Sequence, residues 1–568
     1  MFGRKIAMAS AFLISLLSIT SAAVVSRPLS ATASRYPAPR PISPVATISP
    51  ASVSAPYHLL CEFLSSPALG IDTVSPEFRW ALPFTVPVQM HAHIVVIDSE
   101  HGAVVWNTSL SGNAQVARYA GAPLRPTTQY VWTLSVEGAN GTTTPASSAV
   151  FVTGLYGRVA PSAAPLWAPV GASGAANQSA QFVLLRQQIV LDQPADALVS
   201  AIAYVTASPQ AYFGPVESDN AKLTAAYKLF VNGALSGMGP GKPSRCGPLC
   251  PVQKAAGNCT CAPEHLYDVR DVLSAVRSGG GGSSLTLALQ GFNYPPSAAK
   301  TVSTDSRMFV QVELRYADGA NQTLATGLGE WRAYDATAYM GPRGSFGDAQ
   351  WYMAPQENFD ARLEPVGWRL PGFDATAWYP AARVELFPAA LVARPALAVA
   401  VTEDPALVAP PLAVESYANH IFVDFGTDFS GGVCMDASAG VAGIVLALRV
   451  GEEATTDATG ARIVLPMRTA NVDVQNWTLR DGPLTICMHE WTQFRCAPSG
   501  RPRMMHVSCA VYVRTHYLWQ QERRISRIDR QQTHTSSSLT RTYTDMPRLR
   551  RLCRACRHPR MASCSVRG

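Results

Sequence analysis

The sequence has few of the features that usually identify an enzyme. It contains no Gly-x-Ser-x-Gly nucleophile elbow and no His-Glu-x-x-His metal motif, and the segment 239–243 lacks the spacing of a phosphate-binding loop. We therefore predict no catalytic residue, no metal ligand and no cofactor from the motifs in this chain. A membrane span after the N-terminal segment is also excluded, since no later apolar run approaches the ~20 residues that a membrane helix needs.

Lysine and acidic residues are scarce toward the C-terminus. Charged residues make up 15% of the chain, whose net charge is +7. The segment 501–568 has 15 arginines, no lysine and three acidic residues, which gives it a net charge of 15 − 3 = +12. The preceding 500 residues therefore carry a net charge of 7 − 12 = −5. Because the excess of positive charge is confined to this tail, we predict no nucleic-acid partner. The tail has no apolar periodicity, which predicts a disordered segment or one produced by out-of-frame translation.

The N-terminus is typical of a secreted protein. Arg4 and Lys5 precede an apolar run over 6–19 and the small residues Ser21–Ala23, which predicts a signal peptide over 1–23. A Pro/Ser/Ala-rich linker follows over 24–56. Six Asn-x-Ser/Thr triplets are predicted surface glycosylation sites: Asn107, Asn140, Asn177, Asn258, Asn321 and Asn476. We expect an extracellular protein.

The rest of the chain is typical of β-structure. Glycine and proline number 41 and 43, and apolar residues make up 47% of the chain, which favours turn-rich strands with packed cores. The run Tyr130–Glu137 alternates large apolar with small or polar residues, the period of a half-buried strand. Further strands are predicted over 93–97 and 149–152, and alternation over 308–316 predicts a strand with one buried face. The segment 57–157 is therefore predicted to be a fibronectin-III- or immunoglobulin-like sandwich.

Several motifs resemble bacterial-type α-L-rhamnosidases, an inverting glycoside hydrolase family. They occur in the family's order at Leu60–Leu64, Gly70–Asp72, Phe78–Trp80, Tyr130–Trp132, Tyr227–Gly233, Tyr267–Val269, Phe359–Glu364, Gly367–Trp368, Gly372–Asp374, Phe422–Gly426 and Leu448–Glu452. The resemblance implies an all-β chain of three consecutive antiparallel β-sandwich domains. These are the fibronectin-III-like domain at 57–157, an accessory jelly-roll or carbohydrate-binding-like domain at 165–385, and a concanavalin-like domain at 392–500, followed by the disordered basic tail at 501–568.

The stretch Glu357–Trp378 closes the predicted accessory domain. Its Asp-x-Arg-x-Glu alternation predicts a strand with Asp360, Arg362 and Glu364 on one face. One interpretation is structural, with the arginine satisfied by its acidic neighbours and the aromatic residues covering the core. The other is a sugar-facing surface. Its predicted contacts are Asp360, Arg362, Glu364, Trp368 and Trp378, with Tyr294, Trp331 and Trp351 behind them.

Four cysteines lie in an insertion between the family motifs. Cys246, Cys250, Cys259 and Cys261 have a spacing that also suits zinc. In a secreted chain disulfides are favoured, and four cysteines allow three pairings, which the sequence does not distinguish.

The resemblance also implies where catalysis would occur. In the family both catalytic carboxylates are glutamates of an (α/α)6 barrel of several hundred residues that follows the β-domains, and the segment after Phe494 is too short for it. We therefore expect the chain as given to be inactive, a non-catalytic part that binds rhamnose-containing glycans or glycosides. One alternative is that the full gene product is an active α-L-rhamnosidase that hydrolyses terminal α-L-rhamnose, its barrel lost to mis-annotation. Another is a structural or adhesive secreted glycoprotein, in which the tryptophans near 368 would be buried.

Overall fold

The computed structural model describes residues 53–169, 182–208, 225–239, 264–279, 282–293, 306–339, 358–385, 390–394, 408–409, 411–465, 473–488, 492–500 and 509–515. Almost all regular elements in these ranges are strands in antiparallel sheets, which confirms the all-β prediction. Several predictions fall outside the described residues: the signal peptide, the linker up to residue 52, Tyr294, Trp351, Asn177, Asn258, Cys246, Cys250, Cys259 and Cys261.

The first domain is a two-sheet sandwich. Its strands are β1 (Tyr57–Cys61), β2 (Leu64–Ser65), β3 (Ala68–Ile71), β4 (Glu77–Ala81), β5 (Gln89–Asp98), β6 (Val104–Ser111), β7 (Val116–Arg118), β8 (Gln129–Gly138) and β9 (Ser147–Thr153). One sheet has the order β2-β1-β4-β7 and the other β3-β9-β8-β5-β6. The two sheets enclose a core around Phe78, Trp132 and Phe151.

Strand β8 follows the predicted alternation. Tyr130, Trp132, Leu134 and Val136 are buried, while the residues between them are half-buried. Successive side chains of a strand point to opposite faces, so the large residues all enter the core between the sheets. The strands predicted over 93–97 and 149–152 are also present, as parts of β5 and β9.

The second domain packs two larger sheets face to face. Its elements are β10 (Leu166–Trp167), β11 (Phe182–Val190), β12 (Leu198–Ser208), β13 (Ala225–Val231), β14 (Ala234–Gly239), β15 (Glu264–Asp271), α1 (Leu273–Arg277), β16 (Ser284–Asn293), β17 (Arg307–Tyr316), β18 (Asn321–Ala325), β19 (Arg332–Asp335), β21 (Tyr379–Pro380), β22 (Ala382–Arg383) and β23 (Ala390–Ala393). Strand β20 (Phe359–Asp360) lies between β19 and β21 in the sequence but joins the sheet of the third domain. The sheet orders are β22-β10-β17-β12-β15-β23, with β18 on β17, and β14-β13-β16-β11-β19-β21. Strand β23 belongs to this domain although it lies beyond residue 385, because it pairs with β15.

Strand β17 is buried more completely than its alternation predicts. Met308, Val310 and Val312 enter the core between the two sheets, as expected. Phe309 and Gln311 point to the other face and are also buried, at 0% and 3% exposure. Phe309 packs in a cluster with Val152 and Leu155 of the first domain, so the first domain covers the face that the sequence pattern leaves open.

The third domain is organised around one long strand. Its strands are β24 (Val408–Ala409), β25 (Ala413–Ser416), β26 (His420–Gly440), β27 (Val445–Val450), β28 (Ala454–Thr456), β29 (Arg462–Val464), β30 (Asp473–Thr478), β31 (Gly482–Cys487), β32 (Thr492–Gly500) and β33 (Cys509–Thr515). The main sheet has the order β20-β30-β27-β32-β26-β33-β24, and β25 and β31 also pair with β26. Strands β28 and β29 form a separate ribbon.

The structure differs from the sequence prediction at the start of the tail. Residues Cys509–Thr515 form β33, which pairs antiparallel with β26 from Gly431 to Ala437. The run Val511–Val513 consists of β-branched and aromatic residues, which favour a strand when a partner edge is present. The tail prediction over 501–508 and 516–568 lies outside the described residues.

Candidate functional site

The described part of the stretch Glu357–Trp378 is shared by two domains. Its first residues belong to the third domain, where β20 pairs in parallel with β30 and Phe359 and Ala361 enter the core. Its later part belongs to the second domain, where Trp368 and Trp378 pack with Phe230 and other buried aromatic residues. The stretch therefore connects the two domains and lines the space between them.

The predicted charged ladder is wrong. Only Phe359 and Asp360 are in a strand, and the chain turns immediately afterwards. The Asp360 carboxylate accepts hydrogen bonds from the Arg362 backbone N–H at 3.0 Å and from the Arg362 guanidinium at 2.9 and 2.7 Å. An aspartate whose side chain accepts a hydrogen bond from the backbone N–H two residues later favours a turn over an extended strand. Asp360 and Arg362 consequently form a local ion pair, while Glu364 points elsewhere.

The tryptophans are core residues. Trp331, Trp368 and Trp378 are 4%, 3% and 7% exposed. The Trp331 indole N–H donates to the Ala325 carbonyl at 3.1 Å, and Trp378 makes an edge contact with Phe373 at 5.5 Å between ring centroids. Trp368 lines a cavity between the second and third domains, but Trp331 and Trp378 line neither this cavity nor the one between the first and second domains. The prediction of Trp331 and Trp378 as sugar contacts is corrected accordingly.

A cavity of about 230 Å³ lies between the second domain and the sheet of the third. We call it the junction cavity. Its walls combine aromatic, amide, carboxylate and guanidinium groups, and they include the predicted residues Glu364 and Trp368. The side chains that supply these groups are Phe230, Gln290, Glu364, Trp368, Arg369 and Arg480.

The side chain of Gln290 is buried in the wall of this cavity. Gln290 lies on β16 and is 3% exposed. Its Nε2 atom has no hydrogen-bond partner among the described residues. An amide N–H buried without a partner costs about 1–3 kcal/mol. A partner supplied by a molecule in the cavity would remove that cost, so Gln290 marks the polar end of the site. No motif described in the sequence singled it out.

Glu364 is the acidic group of the cavity. The Tyr339 hydroxyl donates to its Oε1 atom at 3.1 Å. Removal from solvent raises the pKa of the Glu364 carboxyl, and the hydrogen bonds from Tyr339 and Trp368 and the charges of Arg369 and Arg480 only partly oppose this. The carboxyl therefore offers an acceptor whose charge is sensitive to pH.

Two guanidinium groups complete the polar wall. Arg369 lies over the ring of Phe230, with 5.0 Å between Cζ and the ring centroid. Arg480 comes from the third domain and donates to the Asp481 carbonyl at 3.1 Å. The wall of the cavity therefore combines hydrogen-bond donors from its amide and guanidinium groups with the Glu364 carboxyl as an acceptor. Beside them lies an apolar surface formed by Phe230 and Trp368.

A disulfide forms part of the same wall. Cys434 on β26 and Cys487 on β31 are directly opposite each other and are bonded, across 53 residues of sequence. The sequence indicated an oxidising environment, but pairing of two cysteines this far apart depends on strand register and could not be read from spacing. Cys61, which is free and buried, lies in the first domain.

A second group of titratable residues lies in the first domain. Asp98, Glu100 and His101 place ligand atoms within 4.8 Å of one another. The guanidinium of Arg125 contacts all three, with 2.8 Å to the Asp98 carboxylate. Because a cationic group already occupies the centre of this cluster, it is an ion-paired network.

Among the predicted glycosylation sites, Asn107, Asn140, Asn321 and Asn476 are exposed. Exposure permits modification, which stays a prediction. No helix in the described part of the chain is long and apolar enough to cross a membrane.

Two family models match the chain. Residues 56–157 match the Rha78A-like N-terminal immunoglobulin domain, and residues 265–403 match the α-L-rhamnosidase N-terminal domain. An α-L-rhamnosidase of Streptomyces avermitilis is 28% identical over 114 residues, which are 20% of this chain and 10% of that protein.

Solved structures agree with these matches. An α-L-rhamnosidase from Dictyoglumus thermophilum has a TM-score of 0.58 and 19% identity, covering 82% of this chain and 49% of that one. The α-L-rhamnosidase from Aspergillus terreus has a TM-score of 0.53 and 16% identity, covering 81% of this chain and 49% of that one. At these identities the agreement concerns the fold. The chain spans about half the length of these two solved structures.

Proposed function

Because the chain belongs to the α-L-rhamnosidase family through its N-terminal domains, we propose that it binds rhamnose-containing glycans in the junction cavity. It does so as a non-catalytic part of a rhamnosidase homologue. The observation that carries this proposal is the buried Gln290 amide, whose Nε2 has no partner among the described residues, in a cavity shared with Glu364 and Trp368. The predicted signal peptide supports the proposal that this binding occurs outside the cell.

The chemistry of the cavity suits a deoxy sugar. Rhamnose carries hydroxyl groups that both donate and accept, and Gln290, Arg369, Arg480 and Glu364 offer matching donors and an acceptor. Its methyl group and ring C–H bonds need an apolar surface, which Trp368 and neighbouring rings supply.

The size of the cavity limits the ligand. At about 230 Å³ it is smaller than the roughly 300–1,000 Å³ that is usual for drug-sized ligands. We therefore propose that one sugar unit enters and that the rest of the glycan lies outside.

Calorimetric titration with methyl α-L-rhamnoside tests this proposal. Gln290→Met keeps the side-chain length and removes the amide, so affinity should fall about tenfold or more if one hydrogen bond to a buried group is lost. Gln188→Met is the matched control, because Gln188 is exposed on β11, the strand next to β16. Methyl α-D-glucoside should bind more weakly than the rhamnoside.

Two results would contradict the proposal. The first is the absence of saturable rhamnoside binding, which would favour the structural or adhesive alternative that the buried tryptophans also fit. The second is equal affinity of wild type and Gln290→Met, which would place any binding elsewhere.

A second candidate function concerns a longer gene product, and the half-length coverage of the solved structures favours it. Such a product would hydrolyse terminal α-L-rhamnose. Reading the genomic frames beyond the codon of Arg495 tests this idea. The absence of a downstream Arg-Asp-Glu…Gly-Trp motif in all of them would remove it.

A further inference from the structure

A second concave site lies between the first and second domains, away from the junction cavity. It has a volume of about 360 Å³ and we call it the arginine cleft. One wall is the segment 125–129 of the first domain with Glu100, and the other is the outer face of β12, β17 and β18. Most of its lining side chains are polar or charged, and the apolar ones are Pro126, Val152, Ile202 and Leu314.

Strand register places the polar residues in two rows. Arg315 of β17 lies opposite Ser200 of β12 and Asn321 of β18. Two residues earlier, Glu313 lies opposite Thr323 of β18. Residues two apart on a strand share a face, so both rows point into the cleft.

The two domains are held together beside this cleft. The Tyr267 hydroxyl of the second domain donates to the Asp72 carboxylate of the first at 2.8 Å and accepts from the Leu155 N–H at 2.6 Å. The Tyr204 hydroxyl donates to the Thr153 carbonyl at 3.0 Å. These buried bonds make the cleft a preformed feature of the paired domains.

The carboxylates of the cleft already have partners. Glu313 accepts from the Gln311 amide and the Thr323 hydroxyl, both at 2.6 Å. Glu100 accepts from Arg125 and from the Asn321 amide. Each carboxylate has about four lone-pair sites, so both retain capacity for a hydroxyl donor.

Arg315, unlike the two carboxylates, has hydrogen-bonding atoms without partners in the described part of the chain. Its Nε and Nη1 atoms are buried and have no hydrogen-bond partner among the described residues. It forms no ion pair within the described part of the chain, whereas Arg125 across the cleft is paired with Asp98 at 2.8 Å. A guanidinium with unpaired donors attracts a carboxylate, which accepts charge-assisted hydrogen bonds. Nε and Nη1 lie on different edges of the guanidinium plane, so one carboxylate can accept from only one of these two atoms.

We propose that the arginine cleft binds an acidic sugar, with the ligand's carboxylate on Arg315 and its hydroxyl groups on Glu313 and Glu100. A small carboxylate without hydroxyl groups would pair with Arg315 but donate no hydrogen bond to Glu313 or Glu100. A neutral sugar would donate hydroxyl groups to the two carboxylates but leave Arg315 without an ion pair. The combination of one unpaired cation with two carboxylates that retain acceptor capacity therefore favours a uronate. The site is independent of the junction cavity and of the function proposed for it.

Calorimetric titration with D-galacturonate tests the proposal, with D-galactose and acetate as separate arms. The protein is prepared without N-glycosylation, because Asn321 borders the cleft. We expect saturable binding of galacturonate that weakens with added salt, and at least tenfold weaker binding of galactose and of acetate. Saturating methyl α-L-rhamnoside should leave galacturonate binding unchanged, which separates this site from the junction cavity.

Variants identify the residue responsible. Arg315→Gln should weaken galacturonate binding at least about tenfold, since a charge-assisted pair is lost. Arg332→Gln, which removes an arginine of β19 paired with Glu330 at 3.6 Å, should bind as wild type. If Arg315→Gln does not fold, Arg315→Lys keeps the charge and should still bind several-fold more weakly. Equal affinity for galacturonate and galactose, or wild-type affinity in a folded Arg315 variant, would overturn the proposal.

Discussion

Gly154 offers a direct test of how the first two domains are joined. A Cβ atom at this position would lie 2.0 Å from the Asp72 Oδ1 atom and 2.4 Å from the Tyr267 hydroxyl. Such separations are far inside van der Waals contact, so Gly154→Ala must displace these groups. Both are held by hydrogen bonds and cannot move without breaking them.

The cost follows from the bonds at Asp72. Its carboxylate accepts from the Tyr267 hydroxyl at 2.8 Å, the Ala393 N–H at 2.5 Å and the Tyr156 N–H at 3.1 Å. A buried donor left without a partner costs about 1–3 kcal/mol. Three such donors, with partial relaxation, give a loss of about 3 kcal/mol or more in the free energy of unfolding. For the paired first and second domains, this loss of unfolding free energy corresponds to a melting temperature lower by roughly 6–12 °C.

Differential scanning calorimetry measures the effect. Gly282→Ala is the control, because Gly282 is exposed and a Cβ atom there would meet nothing within 4 Å. It should change stability by less than about 0.5 kcal/mol. We also expect Gly154→Ala to separate the unfolding of the first domain from that of the second. A variant that melts within about 1 °C of wild type would refute the assigned role of Asp72 and Tyr267.

Three further predictions concern titration and the disulfide. Burial and the charge of Arg307 lower the pKa of His265 to about 3, so the unfolded chain takes up a proton below its ordinary pKa of about 6.5 that the native state excludes. His265→Gln should therefore remove up to about 1.4 kcal/mol per pH unit of acid destabilisation between about pH 6.5 and 4; urea unfolding with identical pH slopes in both proteins would count against this. The raised pKa of Glu364 has the opposite sign, since its ionised form is disfavoured in the native state. The melting temperature of Glu364→Gln relative to wild type should rise from pH 4 to pH 7, and a flat difference would contradict it. Reduction of Cys434–Cys487, which closes 53 residues, should cost about 4 kcal/mol in the chain-entropy model; a reductant that lowers the melting temperature of the double alanine variant equally would exclude this bond as the cause.

Local patterns along the chain predicted β8, β17 and parts of β5 and β9 in the first two domains. The alternation of β8 and β17 was correct because side chains of a strand point to alternate faces and one face must enter a core. The order of the family motifs also predicted the family and the all-β fold. The prediction from alternation was wrong at Asp360–Glu364. There the Asp360 carboxylate accepts a hydrogen bond from the Arg362 backbone N–H, which favours a turn.

The candidate sites depended on contacts that are distant in sequence. Glu364 and Trp368 were predicted, but Gln290 joins them through the packing of β16 in the second domain, and Arg480 joins them because the third domain meets the second at the cavity. Arg315 had no signal in the sequence, since an unpaired guanidinium is recognised only when every neighbouring group is known.

By itself the sequence determined the all-β class, several strands of the first two domains and the family that the chain resembles, because these depend on local side-chain periodicity and on motif order. Tertiary structure decided which aromatic residues are covered, which cysteines described here are bonded and which polar groups remain without a partner. Burial and hydrogen bonding are set by the neighbours that folding brings together, and those neighbours lie tens to hundreds of residues away along the chain.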